Sequence, residues 1–468
     1  MKSAGLALAL LLTASAAAFG QDSADELLKR ASDYYQHGDY DRAIRTYTEA
    51  IRLKPSFAAY NGRGNAYDDK GDRERAIQDY TEAIRLNPKM AAVFYNRGLA
   101  FENKGDHDSA IRDYDAAIKL DAKVPEFFNN RGLSYVRKKE YDRAIKDYTE
   151  AIRLRPTFAQ VFSNRGLVYE KQGEHDRAEH DYSEALRLDP TLIDAWLSRG
   201  AIYGRRKEYD KAIQNFSEAI RLDAKNEDAF FNRALSYDDK GQFDLAVADY
   251  TAAIRLTPED AAAWKKRGTD YFRKSEYDHA IEDFTQALRL HPTDEEAVAF
   301  RGIIRMYAGQ ITAAQQDLKA AMGPEKPAAP GQTTGSFAMT EGGRMEFSLA
   351  HPPDPFVIIW LYLARAKAGA GGEDELKKNA ARLKGKDWPW PVIELYLGDS
   401  TLEKVLSVAG DNKVWKCEAE FYVGEYHSVH GNLSEAERLF QGSLKDCPPT
   451  FVEYPAAQAE LKTMEKKR

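Results

Sequence analysis

The sequence predicts an all-α protein: an α-solenoid of about nine helix-turn-helix units, followed by a smaller helical C-terminal domain. Two rulers carry the solenoid. Arg63, Arg97, Arg131, Arg165, Arg199, Arg233, Arg267 and Arg301 stand 34 residues apart, and Arg30 precedes the first of them by 33. Ala76, Ala110, Ala144, Ala178, Ala212, Ala246, Ala280 and Ala314 keep the same step, with Ala43 ahead of them. Two amphipathic helices per period cannot bury their apolar faces alone, so units of this size stack on one another. The C-terminal part is predicted by the loss of the ruler after residue 322.

The first twenty residues read as a secretory signal peptide. Lys2 precedes the apolar run Ala4–Leu12, small residues follow at Thr13–Ala18, and a polar stretch begins after Gly20. This order of basic, apolar and small residues marks export, with cleavage near Gly20-Gln21 or Ala18-Phe19; an uncleaved anchor is the alternative. No cysteine precedes Cys417, so a lipid-modified N-terminal cysteine is excluded. The next most apolar run, Phe356–Ala366, is too short to span a bilayer. The expectation is a periplasmic or secreted chain with no integral membrane span after cleavage.

Residues 22–322 form the solenoid. Each unit reads as a helix, a short turn such as Lys104-Gly105-Asp106-His107, a second helix, and a stop at Pro or Asp-Ala. Numbering each unit so that Gly98 is position 8 places the arginines at position 7, on an apolar helical stripe. The turn folds the second helix back, which sets position 7 opposite position 23. That position holds Asp79, Asp113, Asp147, Asp181, Asp249, Asp283 and Asp317, with Asn215 and Thr46 as exceptions. The spacing predicts an arginine–aspartate pair inside each hairpin, in the same or an adjacent unit. Removing the acid is expected to cost more than removing the base, because it strands a buried cation. In the ninth unit Arg305 replaces the usual Tyr or Phe, which suggests a cap.

Trp196-x2-Arg199-Gly200-x2-Tyr203 with Ala212 and Phe216, and Trp264–Tyr271 with Ala280, Phe284 and Pro292, resemble the tetratricopeptide repeat over roughly residues 24–322. The resemblance implies a right-handed superhelix whose first helices line a concave groove, with positions 2, 5, 6, 9, 12 and 13 facing it. Position 6 holds Asn96, Asn130, Asn164 and Asn232, and Asn129 adds an amide at position 5. A row of side-chain amides offers donors and acceptors to the backbone of an extended peptide whatever its sequence. These asparagines are expected to point into water when the groove is empty, with Phe231, Leu133 and Leu167 beside them for selectivity. Arg137, Lys171, Arg205 and Arg273 at position 13 alternate with Asp69 and Asp239, so the groove is mixed in charge.

Residues 323–354, rich in Pro, Gly, Ser and Thr, read as a linker or strap. Helical pattern resumes over 355–468 and ends in one more repeat-like hairpin, with Gly424 at position 8, Ala436 at position 20 and Phe440 at position 24, followed by a covering helix at Tyr454–Lys466. The blocks IIWLYLAR, VIELYLGD, FYVGEYHSVHGNLSEAERLF and FVEYPAAQAEL resemble the periplasmic lipoproteins called new lipoprotein I. Members of that family bring a periplasmic protease to cell-wall hydrolases, which implies an envelope protein that binds other proteins. This chain differs in lacking the anchor cysteine and in having far more repeats. Cys417 and Cys447 lie at the open end of the last hairpin, at positions 1 and 31, and in an exported protein they are expected to form a disulfide.

Catalytic chemistry is not legible. No GxSxG, HExxH or phosphate loop is present. His427 and His430 read as packing and turn residues, and no metal or cofactor is expected. Charge is interleaved, with a net value of −7, which argues against nucleic acid. The expected function is a non-enzymatic scaffold or adaptor for envelope proteins or extended peptides, a periplasmic protease and a cell-wall hydrolase among the partners the resemblance implies. A homodimer is compatible with the sequence. Two alternatives stay open: an enzyme with a C-terminal site around Glu394, Glu425 and His427, and a structural spacer in a secretion or polysaccharide-export assembly.

Overall fold

The computed structural model describes residues 23–323, 337–339, 345–347, 354–383, 385–448 and 451–467. The expected signal peptide and most of the 323–354 segment lie outside these residues. The helices in chain order are α1 (Ala24–Gln36), α2 (Tyr40–Leu53), α3 (Phe57–Asp69), α4 (Arg73–Leu86), α5 (Ala91–Asn103), α6 (His107–Leu120), α7 (Pro125–Arg137), α8 (Tyr141–Leu154), α9 (Ala159–Lys171), α10 (His175–Leu188), α11 (Ile193–Arg205), α12 (Tyr209–Leu222), α13 (Glu227–Asp239), α14 (Phe243–Leu256), α15 (Ala261–Arg273), α16 (Tyr277–Leu290), α17 (Glu295–Tyr307) and α18 (Ile311–Ala321). After the repeats come α19 (Pro355–Ala366), α20 (Glu373–Ala380), α21 (Trp390–Tyr396), α22 (Leu402–Ala409), α23 (Lys413–Val429), α24 (Leu433–Asp446) and α25 (Glu453–Lys467). Two three-residue strands, β1 (Phe337–Met339) and β2 (Met345–Phe347), pair antiparallel with Phe337 opposite Phe347. They are the departure from an all-α chain among the described residues. Two compact units divide at Ala195/Trp196, within α11.

In both units each hairpin is built in the same way. The first helix ends where residue 15 of the repeat turns left-handed, as at Gly71 (φ 88°) and Gly105 (φ 80°). Glycine takes that conformation without a Cβ penalty. The Asp72 amide donates to Tyr67 O at 2.8 Å across the turn, which closes the helix end. Asp39, Asp72 and Asp106 then cap the second helices by accepting from the backbone of Arg42, Arg75 and Ser109. Lys139, Lys207 and Ser275 hold the turn at φ near 60° without glycine. Close packing follows from the small residues. A Cβ on Gly132 would lie 2.7 Å from Tyr148 Cε1, and one on Gly200 would lie 2.7 Å from Phe216 Cε1. The ruler alanines, Ala43 through Ala314, are fully buried.

The arginine on the apolar stripe has three kinds of partner. In seven repeats it forms the expected two-pronged pair with the aspartate of its own hairpin; in Arg165, Nε and Nη2 donate to Asp181 at 2.7 and 2.9 Å. In the sixth repeat Arg199 Nε donates to Asn215 Oδ1 at 2.9 Å. The remaining nitrogen, Nη1, crosses to the preceding repeat. Arg97 reaches Thr81 Oγ1 at 2.9 Å, Arg165 reaches Thr149 at 3.0 Å, and Arg233 reaches Ser217 at 3.0 Å. Each of those hydroxyls donates to its own helix, as Thr81 does to Ile77 O at 2.7 Å, and so stays free to accept. Rings at positions 4 and 11 flank the guanidinium; Phe162 and Tyr169 each lie 5.8 Å from that of Arg165. On exposure, however, the expected order of the single substitutions would reverse. The Asp181 side chain is 2% exposed and that of Arg165 15%, so the acid is the partner that burial would strand. In the ninth repeat Arg305 joins Arg301 on Asp317, at 2.7 Å.

From Trp196 onward the core of the eighth and ninth repeats continues without a break into the helices after the 323–354 segment. Phe272, Ile304 and Leu318 belong to one buried cluster with Trp360, Tyr396, Phe421 and Phe440. The helices α23 and α24 form the repeat-like hairpin: a Cβ on Gly424 would lie 2.8 Å from Phe440 Cε1, and Gly431 turns at φ 79°. Cys417 and Cys447 are joined across its open end, with Cα atoms 4.9 Å apart.

Candidate protein-binding surface

In the unit ending at Ala195, the asparagines of the first helices form a relay rather than a row of separate groups. Gln160 Nε2 donates to Asn164 Oδ1 at 3.0 Å, and Asn164 Nδ2 donates to Asn129 Oδ1 at 3.0 Å. Asn129 Nδ2 donates to Asn130 Oδ1 at 2.8 Å, and Asn130 Nδ2 donates to the Tyr95 hydroxyl at 2.8 Å. One repeat earlier, Asn96 Nδ2 donates to Asn65 Oδ1 at 3.2 Å, and that oxygen also accepts from Tyr80 OH. The relay joins the third, fourth and fifth repeats. An amide has two donors and two acceptor lone pairs, so each member keeps capacity beyond the bonds it makes here. Asn96, Asn130 and Asn164 are half-buried.

Two of the expected groove residues do not point into water. Asn129 is 8% exposed and Asn232, in the second unit, is 7% exposed. Asn129 is the hub of the relay, packed where neighbouring first helices meet, and Asn232 lies beside the buried Phe231. Phe231 is only 1% exposed, so it supports the α13/α14 core and offers little surface for selectivity. Leu167 is exposed and Leu133 half-buried.

The position-13 charges also separate. Arg137 and Lys171 are exposed in the first unit, and Arg205 is half-buried in the second. Arg273 is buried, pairing with Asp238 and, at 2.9 Å, with Asp270, while its guanidinium lies over the Phe243 ring. Asp69 accepts from Tyr35 OH at 2.6 Å. An acidic series at position 12 escaped the sequence reading. Asp68, Glu102 and Glu170 occupy it in the first unit and Asp238 in the second. Burial pushes the Glu102 carboxyl above the usual range while it accepts from Tyr114 OH at 2.8 Å, and burial with the neighbouring Asp69 does the same at Asp68. Asn65, Tyr95 and Gln160 were likewise missed, although positions 9, 5 and 2 had been read as groove-facing. An amide or hydroxyl scan of all six positions would have found them.

The residues considered for C-terminal chemistry have separate partners. Glu394 accepts from Trp390 Nε1 at 2.8 Å and from Lys404 at 3.1 Å. Glu425 is fully buried against Lys367 at 2.8 Å and accepts from Tyr307 OH at 3.2 Å. His427 is half-buried, its ring edge-on to Tyr426. Among the described residues no group of three or more His, Cys, Asp and Glu is placed to hold a metal. No described helix is long and apolar enough to cross a membrane.

Models of the tetratricopeptide repeat match residues 28–91, 61–125, 132–173, 159–192, 193–226, 231–295 and 266–329, together more than half of the chain. Among solved structures, MamA is 27% identical over 35% of this chain and 95% of its own, with a TM-score of 0.33. YrrB, described as a TPR protein with an unusual peptide-binding site, is 24% identical over 39% of this chain and 95% of its own, with a TM-score of 0.35. The C-terminal part of a TPR repeat-containing protein from Cytophaga hutchinsonii is 22% identical over 51% of this chain and 98% of its own, with a TM-score of 0.45.

Proposed function

This chain belongs to the tetratricopeptide repeat proteins, and we propose that it is an exported, non-enzymatic scaffold that binds extended polypeptide along the first helices of its third to fifth repeats. The relay from Gln160 to Tyr95 carries the reading. It holds amide groups at fixed spacing on successive helices, each with hydrogen-bonding capacity left for a peptide backbone. Preorganised groups lose little freedom on binding. The exposed Arg137 and Lys171 add charge selection beside them, and the position-12 acids supply the opposite sign.

Export rests on the residue order at 1–20, and the periplasm is the compartment that suits both it and the Cys417–Cys447 bond. The blocks similar to new lipoprotein I extend the proposal to an adaptor that brings a periplasmic protease or a cell-wall hydrolase to its client. The test is a triple Asn96→Ala, Asn130→Ala, Asn164→Ala variant, compared with wild type in crosslinked capture from intact envelopes. Each lost bond is worth about 0.5–1.5 kcal/mol net, so three amides should weaken capture by 10-fold or more. Lys146→Ala, at an exposed position on the second helix of the fourth repeat, is the control and should leave both capture and melting temperature unchanged. Undiminished capture by the triple variant would remove the peptide-binding reading.

A further inference from the structure

We propose a subsite that rests on the peptide-binding reading above: Glu102, backed by the Ser134 and Tyr148 hydroxyls, takes an arginine side chain of the client. Glu102 stands at position 12, near the end of α5, and is half-buried. Its Oε2 accepts from Tyr114 OH at 2.8 Å. Ser134 on α7 and Tyr148 on α8 are fully buried, yet neither hydroxyl has a hydrogen-bond partner among the described residues. Both face Glu102. The Ser134 hydroxyl leans towards the carboxylate without closing a bond, and the charge of Glu102 acts on the Tyr148 phenol. Buried hydroxyls without a partner cost free energy, and an ionised Glu102 is the acceptor that both face. Burial opposes that charge, so a cation on the groove side would complete the arrangement.

The second unit shows which cation suits these positions. Asp238, at position 12 of the seventh repeat, corresponds to Glu102. Asp270 and Arg273, at positions 10 and 13 of the eighth, correspond to Ser134 and Arg137. There the Arg273 side chain is 4% exposed and pairs with Asp238 and, at 2.9 Å, with Asp270 one turn before it. In the first unit Ser134 replaces that aspartate, so no acid one turn back draws Arg137 inward. Arg137 is exposed and forms no ion pair among the described residues. Together with His107 it favours the charge of Glu102 only from a distance. Beside Glu102, therefore, a guanidinium from outside the chain can take the place that Arg273 takes beside Asp238. A planar guanidinium offers paired donors to a carboxylate, which an ammonium cannot. A client on the relay passes this point: Asn130 donates to the Tyr95 hydroxyl, on which the charge of Glu102 also acts.

The probes are two fluorescein-labelled nonapeptides of alternating serine and alanine, one with a central arginine and one with citrulline, its uncharged isostere. Anisotropy is read against the full mature chain at physiological salt. Wild type should bind the arginine peptide about tenfold tighter, and Glu102→Gln should bring the ratio to about one. If Glu102→Gln does not fold, Ser134→Ala removes a hydroxyl that closes no bond here; it should keep the melting temperature and cut the ratio about threefold. An undiminished ratio in the variant that folds, or a wild-type ratio near one, overturns the subsite. The Asn96→Ala, Asn130→Ala, Asn164→Ala variant reports on the relay separately, because it should weaken both peptides alike and keep their ratio. A wild-type ratio near one with that common weakening removes the subsite and leaves the relay standing. Failure of wild type to bind either peptide removes both.

Discussion

At Arg165 one guanidinium serves the hairpin, the neighbouring repeat and two aromatic rings. Arg165→Met should destabilise more than Asp181→Ala, because it leaves a carboxylate that is 2% exposed without its cation. A loss of about 3 kcal/mol is expected for the arginine, and about 2 for the aspartate, whose former partner keeps Thr149 and some water. Thermal or urea unfolding of both variants, with the double variant to give the coupling energy, checks this; a larger loss for Asp181→Ala would show that the base is the stranded partner. The pairing was legible in the sequence because both members repeat with the 34-residue step. The third arm was not. Thr81, Thr149 and Ser217 were given no role in the sequence reading, and only the stacking of successive units brings them to the guanidinium.

Within an element pair, closeness is set by glycine. Gly132→Ala would place a Cβ 2.7 Å from the Tyr148 ring, which is itself fully buried, so either the helices part or the ring leaves its rotamer. Overpacking of this kind costs about 1–3 kcal/mol, and the melting temperature should fall accordingly, with no change for a surface variant such as Lys146→Ala. The α23/α24 hairpin carries its own restraint. Closing the loop between Cys417 and Cys447, 30 residues apart, contributes about 3–4 kcal/mol on the chain-entropy estimate. Thiol titration of unfolded, unreduced protein should find none, and reduction should lower the midpoint of this hairpin first. Helix pairs, turns and this bond could be read from spacing. The asparagine relay could be read only as a set of positions, since mutual donation between residues 35 apart depends on how first helices lean together.

For the molecule as a whole, pH reports on acids that periodicity could not reveal. Burial and the charge of Glu460 push Glu425 up to about 7, and burial with the charge of Glu453 pushes Glu418 up to about 8. Both would sit near 4.5 in the unfolded chain. Between these limits the folded state holds protons that the unfolded chain has released, so stability is greatest at the acid end of the window and falls as pH rises. Each unit of elevation is worth about 1.4 kcal/mol. The midpoint of the transition that unfolds α23–α25 should therefore drop by several degrees from pH 5 to pH 8, and Glu425→Gln should flatten that slope. A rising midpoint over the same range would show these carboxylates to be ionised in the fold. The C-terminal helices were visible in the sequence as a resumed helical pattern, but Glu418 and Glu425 lie on α23 of the isolated repeat-like hairpin and Glu453 on α25, beyond the 34-residue ruler. Their burial follows from the core that α19–α25 share with the last repeats, which no local pattern announces.

The direction of the arginine's third arm bears on the order of synthesis. In each resolved case the arm points to a hydroxyl or carboxylate 15 or 16 residues earlier, and the pairing aspartate comes 16 residues later, on the second helix of the same hairpin. A guanidinium leaving the ribosome meets its backward partner on a finished unit and its forward partner within half a repeat. What waits for the next unit is mostly a threonine or serine already bonded to its own helix, which loses little by waiting. The costly group always belongs to the newer unit. A chain of this design can settle hairpin by hairpin from its N-terminal end, never holding an unpaired buried charge for longer than one helix takes to emerge.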